Sequence, residues 1–416
     1  MEASGDHMKV ASVAQVGTAA SLGMRPGDVI MELQGVHPSA AGQVAQIMRS
    51  ARQGQTITAT VRRDGRDMHL RGRASAAPLE HYDGATVGYG VIPFRGGRLR
   101  DILVRPVGTQ SGPLVFLIQG YGCATIESRR PDDEVGELAR AFAKRGIAFY
   151  RVEKPDVGDS EGGVSCRDAD FATELDAYRT AYRHLADLGY APDRVFILGH
   201  SLGGVEAPLL AAERPPRGVA VFGALLRNWA DYMLDVDRLQ DFAILGADPG
   251  ETQARAEADR DAIRRFFFDR EPLASIAARA PANVPSLTNL FGWDGGTQAF
   301  GRSENFMQDL ARLNLAAAWR DTHSRVLSLY GASDVIALNG QDQRDLVDIV
   351  NFYRPQTAEY VEVPGTMHGM DVAGDRSELR RRSRAAGTLV YGAFNSVVAD
   401  TLVAWIKRSM AAPPVR

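Results

Sequence analysis

Three features predict an α/β architecture: a mostly parallel sheet flanked by helices, preceded by a small α+β segment. From about residue 85 onward, apolar stretches of strand length alternate with amphipathic stretches of helix length. Repeated strand-helix order implies parallel strands joined by right-handed crossovers. Between Leu226 and about Trp319 the alternation stops and helical patterns take over. Ahead of residue 74, short strands, a hairpin turn and one amphipathic stretch form a pattern of their own. A chain of 416 residues is also long for one domain, and two is the natural expectation.

The first segment runs from about Lys9 to Arg73. Val10 to Val16 is expected as a short strand. Ala19 to Gly23 reads as a helical turn closed by glycine, and Pro26-Gly27-Asp28 carries turn chemistry before Val29-Ile30 begins a buried strand. Ala40 to Arg52 is an amphipathic helix with Val44, Ile47 and Met48 on one side. Thr56 to Val61 alternates, Arg63-Asp-Gly-Arg66 is a hairpin turn, and Met68 to Leu70 returns. The stretch Ala19-Ala-Ser-Leu-Gly-Met-Arg-Pro-Gly-Asp-Val-Ile30 resembles bacterial PDZ domains, which implies a PDZ-like domain over residues 9–73 and a possible protein or peptide contact through it. That family's carboxylate-binding loop should precede the first strand, where only Met1 to Met8 stand. Those eight residues lack the regions of a signal peptide and read as a vector-encoded extension. Ala74 to Gly84, small, polar and proline-containing, is the expected linker.

The second segment, residues 85–412, opens with an antiparallel pair, Val87 to Phe94 and Leu99 to Arg105, joined at Arg95-Gly-Gly97. Buried strands follow at Pro113 to Ile118, Ile147 to Val152, Val195 to Leu198, Gly218 to Leu225, Val326 to Tyr330 and Glu359 to Val363. Helices are expected at Glu134 to Arg145, Asp170 to Leu188 and Thr388 to Lys407. The arginine-rich stretch from Glu378 to Arg384 reads as a solvated helix face. The interruption at 226–319 is too long for a loop and reads as a mostly helical lid.

The chemistry concentrates at Gly199-His-Ser-Leu-Gly203, which lies between an apolar strand and a helical run. Small residues on either side leave room for a strained serine backbone, and the turn pushes the Ser201 hydroxyl out at the carboxyl edge of a sheet. Downstream, Tyr330-Gly-Ala-Ser-Asp334 ends one strand, and Val363-Pro-Gly-Thr-Met-His368 follows the next. The order serine, acid, histidine resembles the α/β-hydrolase superfamily from roughly Gly84 to Met410. The resemblance implies that Ser201, Asp334 and His368 converge as nucleophile, orienting acid and general base. Asp371 and Glu206 are rival acids. Of the other histidines, His200 neighbours the serine but should point away from it.

An oxyanion needs two donors. The Leu202 N–H is one; the loop Gln119-Gly-Tyr-Gly-Cys123 supplies the other, from Tyr121 or its neighbour Gly122. Most members of the superfamily carry His-Gly where Gln119-Gly120 stand. Lys154-Pro-Asp-Val-Gly-Asp-Ser-Glu-Gly-Gly163 resembles the superfamily's G-x-G-D-S-x-G loop, with Asp156-Val157 where the first glycine often stands. That resemblance implies packing beside the nucleophile.

Bulk properties narrow the function. With 48 basic and 51 acidic residues, net charge -3, nucleic acid and anionic membranes are poor partners. No apolar run is long enough for a membrane span. No phosphate loop or metal-ligand pattern occurs, and no cofactor or metal is expected. Cys123 and Cys166 are the only cysteines; both follow strand ends near the expected site, and either a bridge or two thiols fits. A bridge points to a periplasmic or secreted location, free thiols to the cytoplasm. The leading expectation is a carboxylesterase-like serine hydrolase acting on a small-molecule or peptide acyl substrate through an acyl-enzyme. A serine peptidase of the same fold and a non-catalytic binding scaffold are the alternatives.

Overall fold

The computed structural model describes residues 2–4, 7–13, 17–38, 44, 47–48, 51, 53–76, 79–109, 112–128, 133–279, 281 and 284–415. They divide into two compact units, Met1–Glu80 and His81–Arg416.

In the first unit β1 (Glu2–Ser4), β2 (His7–Lys9), β3 (Val29–Leu33), β4 (Thr56–Arg63) and β5 (Arg66–Arg73) form one sheet in sequence order, each pair antiparallel. The strand expected at Val10 to Val16 is displaced toward the N-terminus, to β2. Val10 is instead engaged by the turn before β3: its N–H donates to Asp28 O and its carbonyl accepts from Gly27 N. Residues 14–16 lie outside the described set. That turn is locked by Asp28, nearly fully buried, whose carboxylate accepts from Arg63 Nε at 2.7 Å and Arg25 N at 2.8 Å. Much of the helix expected over 40–52 also lies outside the described residues. Val44, Ile47 and Met48 are helical and pack on the Ile30, Leu33, Ile57 and Val61 core.

The second unit is built on eight strands: β6 (Ala85–Phe94), β7 (Gly97–Pro106), β8 (Leu114–Ile118), β9 (Ala148–Val152), β10 (Val195–His200), β11 (Gly218–Phe222), β14 (Arg325–Gly331) and β15 (Ala358–Val363). Two further strands, β12 (Gln298–Ala299) and β13 (Arg302–Ser303), pair with each other. The large sheet runs β15-β14-β11-β10-β8-β9-β7-β6. It is parallel from β15 to β9 and antiparallel where β7 meets β9 and β6. The parallel strands therefore finish at one edge.

Side-chain alternation divides the core into two layers. Phe116, Ile118, Tyr150, Ile197 and Val221 face the helices Phe171–His184 and Gly203–Glu213. Val115, Leu117, Phe149, Phe196, Leu198 and Phe222 face the helices Glu134–Ala143 and Ser396–Ala411. Both central faces are thus covered, which is why these strands read as unbroken apolar runs. Asp133 and Asp170 cap their helices by accepting from Gly136 N and Thr173 N.

Two expected elements shift. The closing helix begins at Ser396 rather than Thr388, because Asn395 caps it and the preceding chain is spent elsewhere: Gly392 N donates to Asp371 Oδ2, and Val372 N donates to Ala393 O. The arginine-rich helix, Arg376–Ala386, is not wholly solvated. Leu379 and Ser383 are buried, and the Arg380 guanidinium lies 4.4 Å from the Phe242 ring centre. An unanticipated helix, Gln341–Tyr353, buries Leu346, Val347 and Val350 between acidic positions that mask its apolar stripe.

The helical segment expected at 226–319 contains Trp229–Leu245, Pro249–Phe267, Leu273–Arg279, Val284–Phe291, Glu304–Leu310 and Leu315–Arg320, with β12 and β13 between the fourth and fifth. Phe266, Phe267, Phe291 and Phe306 join the core layer on the Phe171–His184 side.

At the β10 turn Ser201 has φ 56°, a left-handed conformation costly for a side-chain-bearing residue. A Cβ on Gly203 would collide with the Ile118 carbonyl, and one on Gly199 with the Gly203 carbonyl. Gly203→Ala should therefore destabilise this unit by about 1–3 kcal/mol. Urea unfolding followed by tryptophan fluorescence measures it selectively, because Trp229, Trp293, Trp319 and Trp405 all belong to this unit.

Candidate active site

The ends of the parallel strands are stitched together by successive backbone bonds. Ser201 N donates to Phe222 O at 2.9 Å, Gly223 N to Leu329 O at 3.1 Å, and Ala332 N to Val363 O at 3.0 Å. Ser201, Asp334 and His368 leave the sheet at this edge, on the turns after β10, β14 and β15.

Asp334 is completely buried. Its Oδ1 accepts from Ile336 N at 2.8 Å and Ala337 N at 2.9 Å, and its Oδ2 bonds His368 Nδ1 at 2.7 Å. Burial pushes the carboxyl up, but the histidine's charge and these bonds outweigh it and hold it below its ordinary value. The partner shifts the other way: burial pulls His368 down, and the Asp334 charge and hydrogen bond more than reverse this, leaving it above 6.5. His368 Nε2 is buried with no hydrogen-bond partner. An imidazole bonded through Nδ1 to a carboxylate leaves Nε2 able to exchange a proton with a hydroxyl.

Among the described residues neither rival acid hydrogen-bonds His368, whose Nδ1 is taken by Asp334. Asp371 Oδ2 accepts from Gly392 N at 2.6 Å. Glu206 is fully buried, and neither of its carboxyl oxygens has a hydrogen-bond partner. The helix Gly203–Glu213 starts directly after Leu202, so the Leu202 N–H lies at its positive end. Across β8, the loop carrying Tyr121 passes the serine: a Cβ on Gly120 would lie 3.1 Å from Ser201 Cβ. Among the described residues neither the Leu202 nor the Tyr121 N–H has a hydrogen-bond partner. A disulfide joins Cys123, at the end of this loop, to Cys166.

Three contributors to this geometry were not recognised in the sequence. Gly223 has φ 62°, and a Cβ there would come within 2.9 Å of His368 Nδ1 and 3.1 Å of Asp334 Oδ2. Its only signal is a glycine at a strand end. His200 does not merely point away, since its Nε2 bonds the His368 carbonyl at 2.7 Å. Arg376 clamps the acid turn, donating to Asp334 O at 2.8 Å, Leu338 O at 2.7 Å and Ala332 O at 3.2 Å. Where the superfamily-like loop has Asp156 in place of glycine, the aspartate itself adopts φ 56°.

Residues 133–247 match the model of a family described as serine aminopeptidase S33 (Hydrolase_4), over less than half the chain. No curated protein sequence matches. Among solved structures, Est1E from Butyrivibrio proteoclasticus is similar at 14% identity and TM-score 0.47, covering 78% of this chain and 100% of its own. A lipase in its open form is similar at 17% identity and TM-score 0.47, with 79% and 100% covered. Carboxyl esterase 2 from the fungus Tuber melanosporum is similar at 14% identity and TM-score 0.45, with 79% and 87% covered. At these values their activities do not carry over to this chain. The family match over 133–247 and the mixed sheet with its flanking helices support the α/β-hydrolase fold expected for the second unit.

The charge balance at His368 is measurable without substrate. NMR titration of its ring should give a pKa above 6.5 in the wild type. Asp334→Asn removes the negative charge that raises it while burial remains, so the pKa should fall below that of the wild type by at least about one unit.

Proposed function

We propose that the protein is a serine hydrolase cleaving an ester or related acyl bond through an acyl-enzyme on Ser201. The observation that carries this reading is the buried Asp334–His368 hydrogen bond, with an unpartnered Nε2 on the strand edge where Ser201 stands in a strained turn. Ser201 Oγ attacks the acyl carbon and gives its proton to His368 Nε2. Asp334 holds the imidazole in the required tautomer and stabilises its charged form. The oxyanion accepts hydrogen bonds from the N–H groups of Leu202 and Tyr121. The tetrahedral adduct expels the leaving group, which takes the proton from His368. Water then attacks the acyl-enzyme, activated by the same histidine.

The helical segment at 226–319 is read as a lid and partial wall of the substrate site. Supporting this, Tyr121 Oη donates to Phe300 O at 3.0 Å, so the segment touches the loop beside Ser201. A carboxylesterase is the leading assignment. The serine aminopeptidase match over 133–247 favours a peptidase as the second reading. The first unit is read as a PDZ-like module, supported by the buried Asp28 that fastens its Pro26-Gly27-Asp28 turn. The Cys123–Cys166 bridge favours an oxidising compartment.

Short-chain aryl esters and aminoacyl anilides, assayed side by side, test the assignment. Ester turnover is expected, lost by at least about 10³-fold in Ser201→Ala and His368→Ala. Anilide cleavage without ester turnover selects the peptidase, and a folded protein inert to both substrates and to a fluorophosphonate selects a binding scaffold. For the active enzyme, kcat/KM should fall as pH drops through a value above 6.5, because His368 must be neutral to accept the serine proton and its folded pKa is raised. An acid limb below the ordinary histidine value contradicts the raised pKa of His368.

A further inference from the structure

Beneath the loop that carries Tyr121 lies a cluster of buried ionisable groups that the proposed chemistry does not use. Lys154, Glu174, Arg302 and Glu206 are all essentially inaccessible to solvent. Glu174, on the helix Phe171–His184, pairs with Lys154 Nζ at 2.7 Å and with Arg302 at 2.6 Å. The Glu206 carboxyl is pushed well above its ordinary value by burial and then by the Glu174 charge, which favours its neutral form. Burial lowers Lys154, against the opposing pull of Glu174. Desolvating ammonium, guanidinium and carboxylate groups is costly even when they are paired, so such a cluster is a poor device for stability alone.

Its hydrogen bonds run to one place. Lys154 Nζ donates to Gly120 O at 2.7 Å and lies 3.5 Å from Tyr121 O. Arg302, on β13, donates to Tyr121 O at 3.0 Å. The Gly120 carbonyl and the Tyr121 N–H belong to the same peptide group. In a trans peptide these two bonds point in opposite directions within one plane. A donor fixed on the carbonyl therefore sets where the N–H points. Drawing electron density toward the carbonyl oxygen also makes the N–H a stronger donor.

We propose that Lys154 is a positioning residue for the oxyanion site: through Gly120 O it fixes and polarises the peptide whose N–H, on Tyr121, faces the developing negative charge. Glu174 anchors the lysine, and Arg302 holds the next peptide from the helical segment's side. This inference rests on the serine-hydrolase reading of Ser201. The hydrogen bonds of Lys154 run to backbone carbonyls rather than to Ser201, so its effect passes through the backbone.

The test compares Lys154→Met, Glu174→Gln, Glu206→Gln and Ser201→Ala with wild type on a short-chain aryl ester. Inhibition by an aryl trifluoromethyl ketone, whose tetrahedral adduct carries an oxyanion, is measured alongside. Losing an oxyanion donor outright costs about 10²–10³ in kcat; loosening one should cost about 10- to 100-fold. Lys154→Met is expected to lower kcat by that factor with KM within about threefold. The ketone's Ki should rise in proportion to the loss in kcat/KM. The acid limb of the pH profile should not move. Glu206→Gln, equally buried but without a hydrogen bond to the loop, should keep kcat within about threefold. If Lys154→Met does not fold, Glu174→Gln decides: a loss of about fivefold or more in kcat at unchanged KM supports the proposal, and an unchanged kcat overturns it. Folded Lys154→Met with wild-type kcat and Ki, alongside inactive Ser201→Ala, overturns the proposal and leaves the serine-hydrolase reading intact. Full activity in Ser201→Ala overturns both.

Discussion

The second unit is organised around one buried carboxylate. Asp334 has no access to water, and its two oxygens are satisfied by His368 and by the two backbone N–H groups that follow it. An ionised group in that position is tolerable only if these partners are held in place. Much of the surrounding structure does this. Arg376 fixes the acid turn through its carbonyls, and His200 fixes the His368 backbone. The missing side chain at Gly223 leaves the space in which the carboxylate and imidazole meet. The sheet supplies the frame, because β10, β14 and β15 are parallel members of one sheet and end at the same edge.

The Tyr121 loop is held by a second set of buried charges. Lys154 and Arg302 reach backbone carbonyls of the Tyr121 loop, and Glu174 holds both cations. The Cys123–Cys166 bridge ties the end of the same loop. Main-chain donors have no side chain of their own to be positioned by, so their orientation must come from what grips the neighbouring carbonyls. Under the proposed mechanism the histidine is positioned by a carboxylate, and the oxyanion donor on Tyr121 by cations.

Local signals in the sequence carried the strands of the large sheet, the serine turn and the placement of Ser201, Asp334 and His368 after strand ends. Val195 to Gly203 combines an apolar run, small residues and a helical start within a few positions, which is the range over which sequence patterns are informative. The contributions of Gly223, His200, Arg376, Lys154 and Arg302 were illegible because each depends on a partner distant in the chain. Arg302 and Glu174, for example, stand 128 positions apart. The helix at Gln341–Tyr353 was hidden by its acidic residues, and the start of the last helix was misplaced because Asp371 and Val372 engage the chain before it. In the first unit, the strand expected at Val10 moved because the turn before β3 captures that residue's backbone.

The most direct measurement is a crystal structure of the full chain after reaction with a fluorophosphonate, whose phosphorus takes the place of the acyl carbon in a tetrahedral adduct. Phosphorus should be bonded to Ser201 Oγ, with its oxygen within hydrogen-bonding distance of the Leu202 and Tyr121 nitrogens and His368 Nε2 beside the serine oxygen. A phosphoryl oxygen directed away from both nitrogens, or an adduct on another residue, contradicts the proposed mechanism.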